Sequence, residues 1–367
     1  AYLSRNPYLI STLEGTLNKL RRVLVRDWKS ADAVGAMEAH LELVDALKAR
    51  DMERAKAFVD KELSGVEYRL YFHDRAAAPW QGYGGTKRMK KVLLLATGGT
   101  IACTHSEEGL TPGMSGDGIL DWMPELRESF VIESRDILNL DSSNIQPEEW
   151  QFMAEQVAEA LPDYDGIIIT HGTDTMAYTA SALSYMLQNL TKPVVLTGAQ
   201  IPIGQMFTDA KRNLQTAFAA VDAGLSGVMV AFDDKIMGGC RAVKVRTMGF
   251  DAFESISAPY IGKIYADGVH LEHSRAGEEA AAPFELKNKL CTDVFLMKLI
   301  PGTRPEIFDS LLELGYRGVV IEAFGAGGTH FERRNLLPKL KKLTDHGVSI
   351  AVCSQCLYEK SDLSLYE

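Results

Sequence analysis

Threonine, aspartate and glycine gather where the apolar runs of this chain end. LLLATGGTIA (93–102) passes from leucines into Thr97, a Gly-Gly pair and Thr100, and GIIITHGTDT (166–175) ends in His171, Thr173 and Asp174. PVVLTGAQ (193–200) ends with Ala199 and Gln200, LDSSN (140–144) carries Ser142 and Ser143, and GGCRAVK (238–244) carries Arg241 and Lys244. The glycines of TGGT allow a tight turn with exposed N–H groups, which can bind a phosphate, a carboxylate or a developing oxyanion. No GK[ST] follows, so a nucleotide P-loop is not indicated, and no GxGxxG follows the strand, which argues against a dinucleotide fold.

Taken singly, each residue also has a plain structural reading. Lys244 reads as a solvated surface lysine, Ser142 and Ser143 as turn or N-cap residues, and Thr173 and Asp174 as caps of a helix starting near Ala177. His171 has no metal or triad spacing around it and reads as a hydrogen-bonded structural histidine. In CSQC (353–356) a redox CxxC competes with small residues at a strand end.

The elements that must position these residues follow from periodicity. KVLLLAT, GIIIT, PVVLTGA and GVMVAF are continuous apolar runs, and PEEWQFMAEQVAEAL, AYTASALSYMLQNL and DAKRNLQTAFAAVDAG between them have helical patterns. This alternation predicts an α/β fold with a parallel sheet covered on both faces, whose working residues collect at the carboxyl ends of the strands. A second alternation, VFLMKLI, GVVIEAF and VSIAVCS, predicts a smaller C-terminal α/β unit. The first residues differ: Leu41, Val44 and Leu47, then Ala55, Phe58 and Val59, recur at helical spacing without strand alternation. The expected division is a helical segment 1–63, a linker 64–90, a larger α/β domain 91–276, a connection 277–290 and a smaller α/β domain 291–367.

Composition excludes several partners. In 367 residues, 39 Lys plus Arg face 49 Asp plus Glu, a net charge of -10. Such a chain has no surplus of positive charge to neutralise phosphates, so neither nucleic acid nor an anionic membrane is an expected partner. No run approaches the roughly 20 apolar residues of a membrane-spanning helix, and Ala1 to Ile10 lack the pattern of an export signal. Five scattered cysteines do not form an oxidised framework and point to a reducing cytoplasm.

Together the motifs resemble those of the L-asparaginases. TGGTIA and HGTDT are similar to that family's two signature segments, and DSSN and GxRxxK agree in order and spacing. DSSN, TGAQIP and GFDAF resemble the cytoplasmic, type I branch. The resemblance spans about residues 91–367 and implies a larger N-terminal and a smaller C-terminal α/β domain, assembled as a homodimer or a dimer of dimers. It implies hydrolysis of L-asparagine to L-aspartate and ammonia, with some glutaminase activity, and neither cofactor nor metal. Carried over by motif, Thr100 is the nucleophile that forms an acyl-enzyme, and Thr173 pairs with Lys244 as the base. Asp174 receives the substrate ammonium and orients Lys244, Ser142 and Ser143 hold the substrate carboxylate, and backbone N–H groups near Thr100 and Ala199 supply oxyanion donors. A β-branched nucleophile suits the task because its χ1 is restricted. A free lysine titrates near ~10.4 and must lose its proton to act as a base; Arg241 is a candidate cationic neighbour.

Some positions depart from the family pattern. Leu110 stands where the family's flap carries a tyrosine, and Gly328 where many relatives have an asparagine. The family's last helices would follow SQCLYEKSDLSLYE, so the resemblance implies a shortened second domain. Residues 1–63 resemble the C-terminal helices of the FCD domain of GntR-type regulators, with His40 matching a metal ligand and Lys61 in the place of another; metal is not expected there. Two other readings share the motifs: the amidase subunit of a tRNA-dependent amidotransferase, whose relatives carry a β-barrel where this chain has helices, and a non-catalytic asparagine sensor.

Overall fold

The computed structural model describes residues 78–79, 88–106, 109–272 and 282–363. They lie in one compact unit, Ala77–Glu367. The helical segment expected at 1–63 lies outside the described residues.

The chain enters with β1 (Ala78–Pro79), within the segment expected as a linker, and β2 (Lys90–Gly98). A hairpin of β3 (Cys103–Ser106) and β4 (Gly109–Pro112) follows, then helices α1 (Gly116–Asp121) and α2 (Pro124–Ser129) and strand β5 (Phe130–Leu140). Next come α3 (Pro147–Ala160), β6 (Gly166–Thr170), α4 (Met176–Met186), the short β7 (Leu187–Gln188), β8 (Pro193–Thr197), α5 (Ala210–Asp222) and β9 (Gly227–Phe232). Short strands β10 (Lys235–Gly238), β11 (Ala242–Lys244), β12 (Phe253–Ser255), β13 (Gly262–Tyr265), β14 (Gly268–Leu271) and β15 (Glu285–Leu286) lead to the C-terminal part. That part is β16 (Val294–Lys298), α6 (Ile307–Glu313), β17 (Gly318–Ala323), α7 (Leu337–Asp345) and β18 (Ser349–Ser354).

The large sheet has nine strands in the order β1-β14-β13-β10-β9-β8-β6-β2-β5. Its working half, β9 to β5, is parallel. The antiparallel half was not legible as such in the sequence. It begins at the two-residue turn Asp233–Asp234, both with positive φ (49° and 58°), between β9 and β10. That is the backbone of a tight hairpin, in which an Asp-Asp pair takes the place of the usual Asn-Gly.

The parallel strands are fully apolar because both faces are covered. Val92 and Leu94 of β2 and Ile168 of β6 face one layer with α1, α2 and α5. Leu93, Leu95, Ile167 and Ile169 face the other layer with α3 and α4. The links β2 to β5, β5 to β6 and β6 to β8 therefore share one hand. The link β8-α5-β9 steps the same way as β6-α4-β8 with its helix on the opposite face, so its hand is reversed. Strand order also turns at β2, which lies between β5 and β6, and a crevice opens at the carboxyl ends of β2 and β6.

The smaller sheet, β16-β17-β18, is wholly parallel. Val319, Ile321 and Ala323 pack beneath Phe308 and Leu311 of α6 and Leu343 of α7. Its connection to the larger part is strapped down: β15 pairs with β7, and Gln151 Nε2 of α3 donates to the Asn288 carbonyl at 2.6 Å.

Candidate active site

The loops after β2, β5 and β6 interlock through glycine. Gly99 has φ 76°, and a Cβ there would lie 2.3 Å from the Gly172 nitrogen. A Cβ on Gly172 would in turn lie 2.5 Å from Ser142 Oγ. Only glycine allows this approach and this backbone, so the TGGT and HGTDT motifs act as one contact. Thr100 follows Gly99 as the first residue of a short 3-10 turn, Thr100–Ala102, whose Ile101 and Ala102 are buried. Thr173 follows Gly172, so Thr100 and Thr173 stand one residue to either side of the same contact. Thr97 does not enter the crevice; its hydroxyl donates to the Thr170 carbonyl at 2.7 Å and ties β2 to β6.

Lys244 reaches this place from β11. Its Nζ donates to Thr173 Oγ1 at 2.8 Å and to Asp174 Oδ1 at 2.6 Å. The lysine side chain is only 16% exposed and that of Asp174 is 65% exposed, so the aspartate rims the crevice and the amine lies deeper. Its charged partner is thus an anion; the Arg241 side chain lies exposed beside Gly238. The three-residue strand β11 is fixed by pairing with β12, Lys244 opposite Phe253.

Ser142 and Ser143 occupy a single turn with different environments. Ser142 is buried, and its carbonyl accepts from Thr175 Oγ1 at 2.7 Å. Ser143 is exposed, and both its N–H and its hydroxyl donate to Asp141 Oδ1. Those Ser143 bonds hold the Asp141 carboxyl below its ordinary range. As placed, Ser143 offers lone pairs outward, which suit an ammonium; holding a carboxylate requires its hydroxyl to rotate. Ala199 buries its methyl in the core and leaves only its backbone for a ligand.

Sequence reasoning did not single out Gln200 and Asp209. Gln200 Nε2 donates to the carbonyls of Thr247 and Gly249, both at 3.1 Å, and its Oε1 accepts from Thr173 Oγ1 at 3.2 Å. Asp209 accepts from the backbone N–H of Gln200 and of Ile201 and from Asn213 Nδ2, all at 3.0 Å. By position Asp209 is the N-cap of α5, yet its side chain makes no cap bond and holds the site loop instead.

His171 is the structural residue expected. It is fully buried, and burial lowers its pKa to about 4. Trp150 Nε1 donates to Thr179 Oγ1 at 3.0 Å, and because the ring's other nitrogen must carry the proton facing the Gly172 carbonyl, the Thr179 hydroxyl donates to His171 Nε2 at 2.9 Å. His171 Nδ1–H then donates to the Gly172 carbonyl at 2.7 Å. The ring buttresses the HGTDT turn from behind. In CSQC, burial and Glu322 push the Cys353 thiol up, the opposite of an activated redox cysteine. Among the described residues no cluster of His, Cys, Asp and Glu has the form of a metal site, and no helix is long and apolar enough to cross a membrane.

Comparison with known proteins gives the family. Residues 91–276 match the family described as Asparaginase, N-terminal, and residues 293–367 match the Glutaminase/Asparaginase C-terminal domain. Residues 1–64 match the FCD domain. An L-asparaginase of Thermococcus kodakarensis is 43% identical over 76% of this chain and 84% of its own. Its solved structure superposes with a TM-score of 0.71 over the same shares. A structure described as a probable cytoplasmic L-asparaginase from Campylobacter jejuni is 31% identical, with a TM-score of 0.64 over 75% of this chain and 87% of that one. A glutamyl-tRNA(Gln) amidotransferase component from Pyrococcus furiosus is 36% identical over 76% of this chain and 66% of its own. The fold and the family match are those of an amidohydrolase. The chain belongs to the asparaginase family.

Proposed function

We propose that this chain is an L-asparaginase, hydrolysing L-asparagine to L-aspartate and ammonia. The observation that carries the reading is the bonding of Lys244 Nζ to both Thr173 and Asp174 beside the Thr100 turn. In this reading Thr100 Oγ1 attacks the side-chain amide carbonyl while its proton passes by way of Thr173 to Lys244. Backbone N–H groups near Thr100 and Ala199 receive the oxyanion, and the tetrahedral intermediate expels ammonia, which takes the proton. Water then cleaves the acyl-enzyme by the same route. Asp174 faces the substrate ammonium, and Ser142 and the rotated Ser143 hydroxyl hold its carboxylate. Glutamine, one methylene longer, is a weaker substrate, since such a difference is worth only about 1–3 kcal/mol.

The division into a helical segment 1–63, a catalytic domain 91–276 and a smaller domain 291–367 belongs to the same reading. So do the type I branch, the GntR-type origin of the first segment, a cytoplasmic location and a homodimer or dimer of dimers. The free state of Cys103, Cys240, Cys291, Cys353 and Cys356 supports the location. The amidotransferase reading is weaker, because this chain spans 84% of the asparaginase relative and 66% of the amidotransferase one.

The test is ammonia release from asparagine and glutamine by the purified chain, with Thr100→Ala beside it. Release from asparagine that vanishes in Thr100→Ala supports the reading. Asparagine binding without release sinks it and leaves a sensor.

A further inference from the structure

Thr173 has a single hydroxyl proton and two neighbours that could take it, Lys244 Nζ at 2.8 Å and Gln200 Oε1 at 3.2 Å. The Gln200 amide cannot turn over to become the donor. Its Nε2 is held by the carbonyls of Thr247 and Gly249, so only the oxygen faces Thr173. Its backbone is held as firmly, by both Asp209 oxygens at 3.0 Å. The Thr173 proton therefore points to Gln200, and the threonine oxygen faces Lys244 as an acceptor.

We infer that Gln200 is a positioning residue that fixes the direction of the Thr173 hydroxyl proton and thereby sets which partner donates in the Thr173–Lys244 pair. The inference rests on the asparaginase reading for its consequence in turnover. For Lys244 to accept a proton from Thr173, the hydroxyl must first swing away from Gln200. Gln200 thus holds the site in the arrangement that suits a charged lysine, because a hydrogen bond to the charged form favours that form. A residue without an acceptor at this position leaves the hydroxyl free to donate to a neutral amine.

The other groups around Lys244 are accounted for. Asp174 bonds it directly. On the paired strand β12, Phe253 lies opposite it, and the neighbouring Glu254 is engaged by Arg246 and Tyr358. Helix α4 (MAYTASALSYM), which packs on β11, brings no carboxylate or amine.

The experiment compares Gln200→Met, of similar length without an acceptor, with Gln200→Glu, which accepts but cannot donate to the two carbonyls. The acidic limb of the pH profile of kcat/KM for asparagine is expected to move down in Gln200→Met by about half to one pH unit, the worth of one hydrogen bond. It moves up in Gln200→Glu. The change appears in kcat, with KM near that of the parent. A limb in Gln200→Met that stays with the parent's or moves up overturns the inference, whatever Gln200→Glu does, because a new carboxylate raises a nearby ammonium by its charge alone.

A second measurement needs no turnover. The 15Nζ resonance of Lys244, assigned by its loss in Lys244→Arg, is expected to titrate at lower pH in Gln200→Met and at higher pH in Gln200→Glu. An unmoved resonance overturns the inference even if the parent releases no ammonia, an outcome that would count against the asparaginase reading alone. If Gln200→Met fails to fold, Gln200→Leu, also without an acceptor, decides by whether its titration falls.

Discussion

Lys244 and Thr173 are 71 residues apart in the chain and 2.8 Å apart in the site. The contact joins a short separate hairpin, β11–β12, to the turn after a central strand, so it exists only when both are in place. Replacing Lys244 by Met removes the amine while keeping a stem of similar length. Turnover of asparagine is expected to fall by about a hundred- to ten-thousand-fold, the usual range for a lost acid–base group. Steady-state kinetics check this, and a Lys244→Met enzyme within a few-fold of the parent would remove Lys244 from the mechanism.

Gly99→Ala strikes the interlock. The added methyl would sit 2.3 Å from the Gly172 nitrogen on a backbone with φ 76°. Strain in a backbone region open essentially to glycine alone (φ 76°, ψ 178°) and overpacking together are expected to cost about 2–6 kcal/mol. Urea unfolding measures the loss, and an unchanged midpoint would mean that the two loops do not bear on each other in solution.

His171 makes stability depend on acid. Its buried ring holds a proton only near pH 4, against about 6.5 in the unfolded chain, so between these values the unfolded state binds more protons. The stabilisation is complete above about 6.5, declines as pH falls and is lost once pH passes about 4. The full effect is of order 3 kcal/mol. Unfolding free energy followed across this window should lose that slope in His171→Gln; equal slopes in parent and variant would contradict it.

Asp209→Ala leaves the N–H groups of Gln200 and Ile201 without their acceptor. Two unsatisfied donors at about 1–3 kcal/mol each predict a clear drop in melting temperature, together with reduced turnover, although Asp209 touches no substrate. Thermal unfolding and kinetics measured on one preparation test the pair of effects. Full activity in a destabilised variant would separate the loop from the chemistry.

The working strands were legible because burial on both faces writes them as unbroken apolar runs, and their carboxyl ends stand out in Thr, Gly and Asp. The antiparallel half was not, since its strands are short and its first turn is Asp233–Asp234 rather than Asn-Gly. Gln200 was quoted at the end of a motif without a task, because a glutamine's role lies in which end of its amide is anchored, and that depends on Thr247 and Gly249 far along the chain. Asp209 was hidden in another way. Before a helical pattern an aspartate reads as a cap, and nothing local reveals that its carboxylate turns back to residues 200 and 201. Ser143 was legible as a polar turn residue, but not that its hydroxyl is engaged with Asp141.

The reversed hand of β8-α5-β9 bears on how the molecule assembles in time. Strand twist favours the other hand, so local geometry does not steer α5 to its side of the sheet. What holds it there is specific: Asn213 of α5 donates to the Gly198 carbonyl and accepts from the Asp233 N–H, while Asp209 grips Gln200 and Ile201. These bonds need β8, β9 and the site loop already in register, so docking of α5 is expected to follow them. A refolding chain would then regain its helical signal well before its crevice, and catalysis would return with the slowest phase.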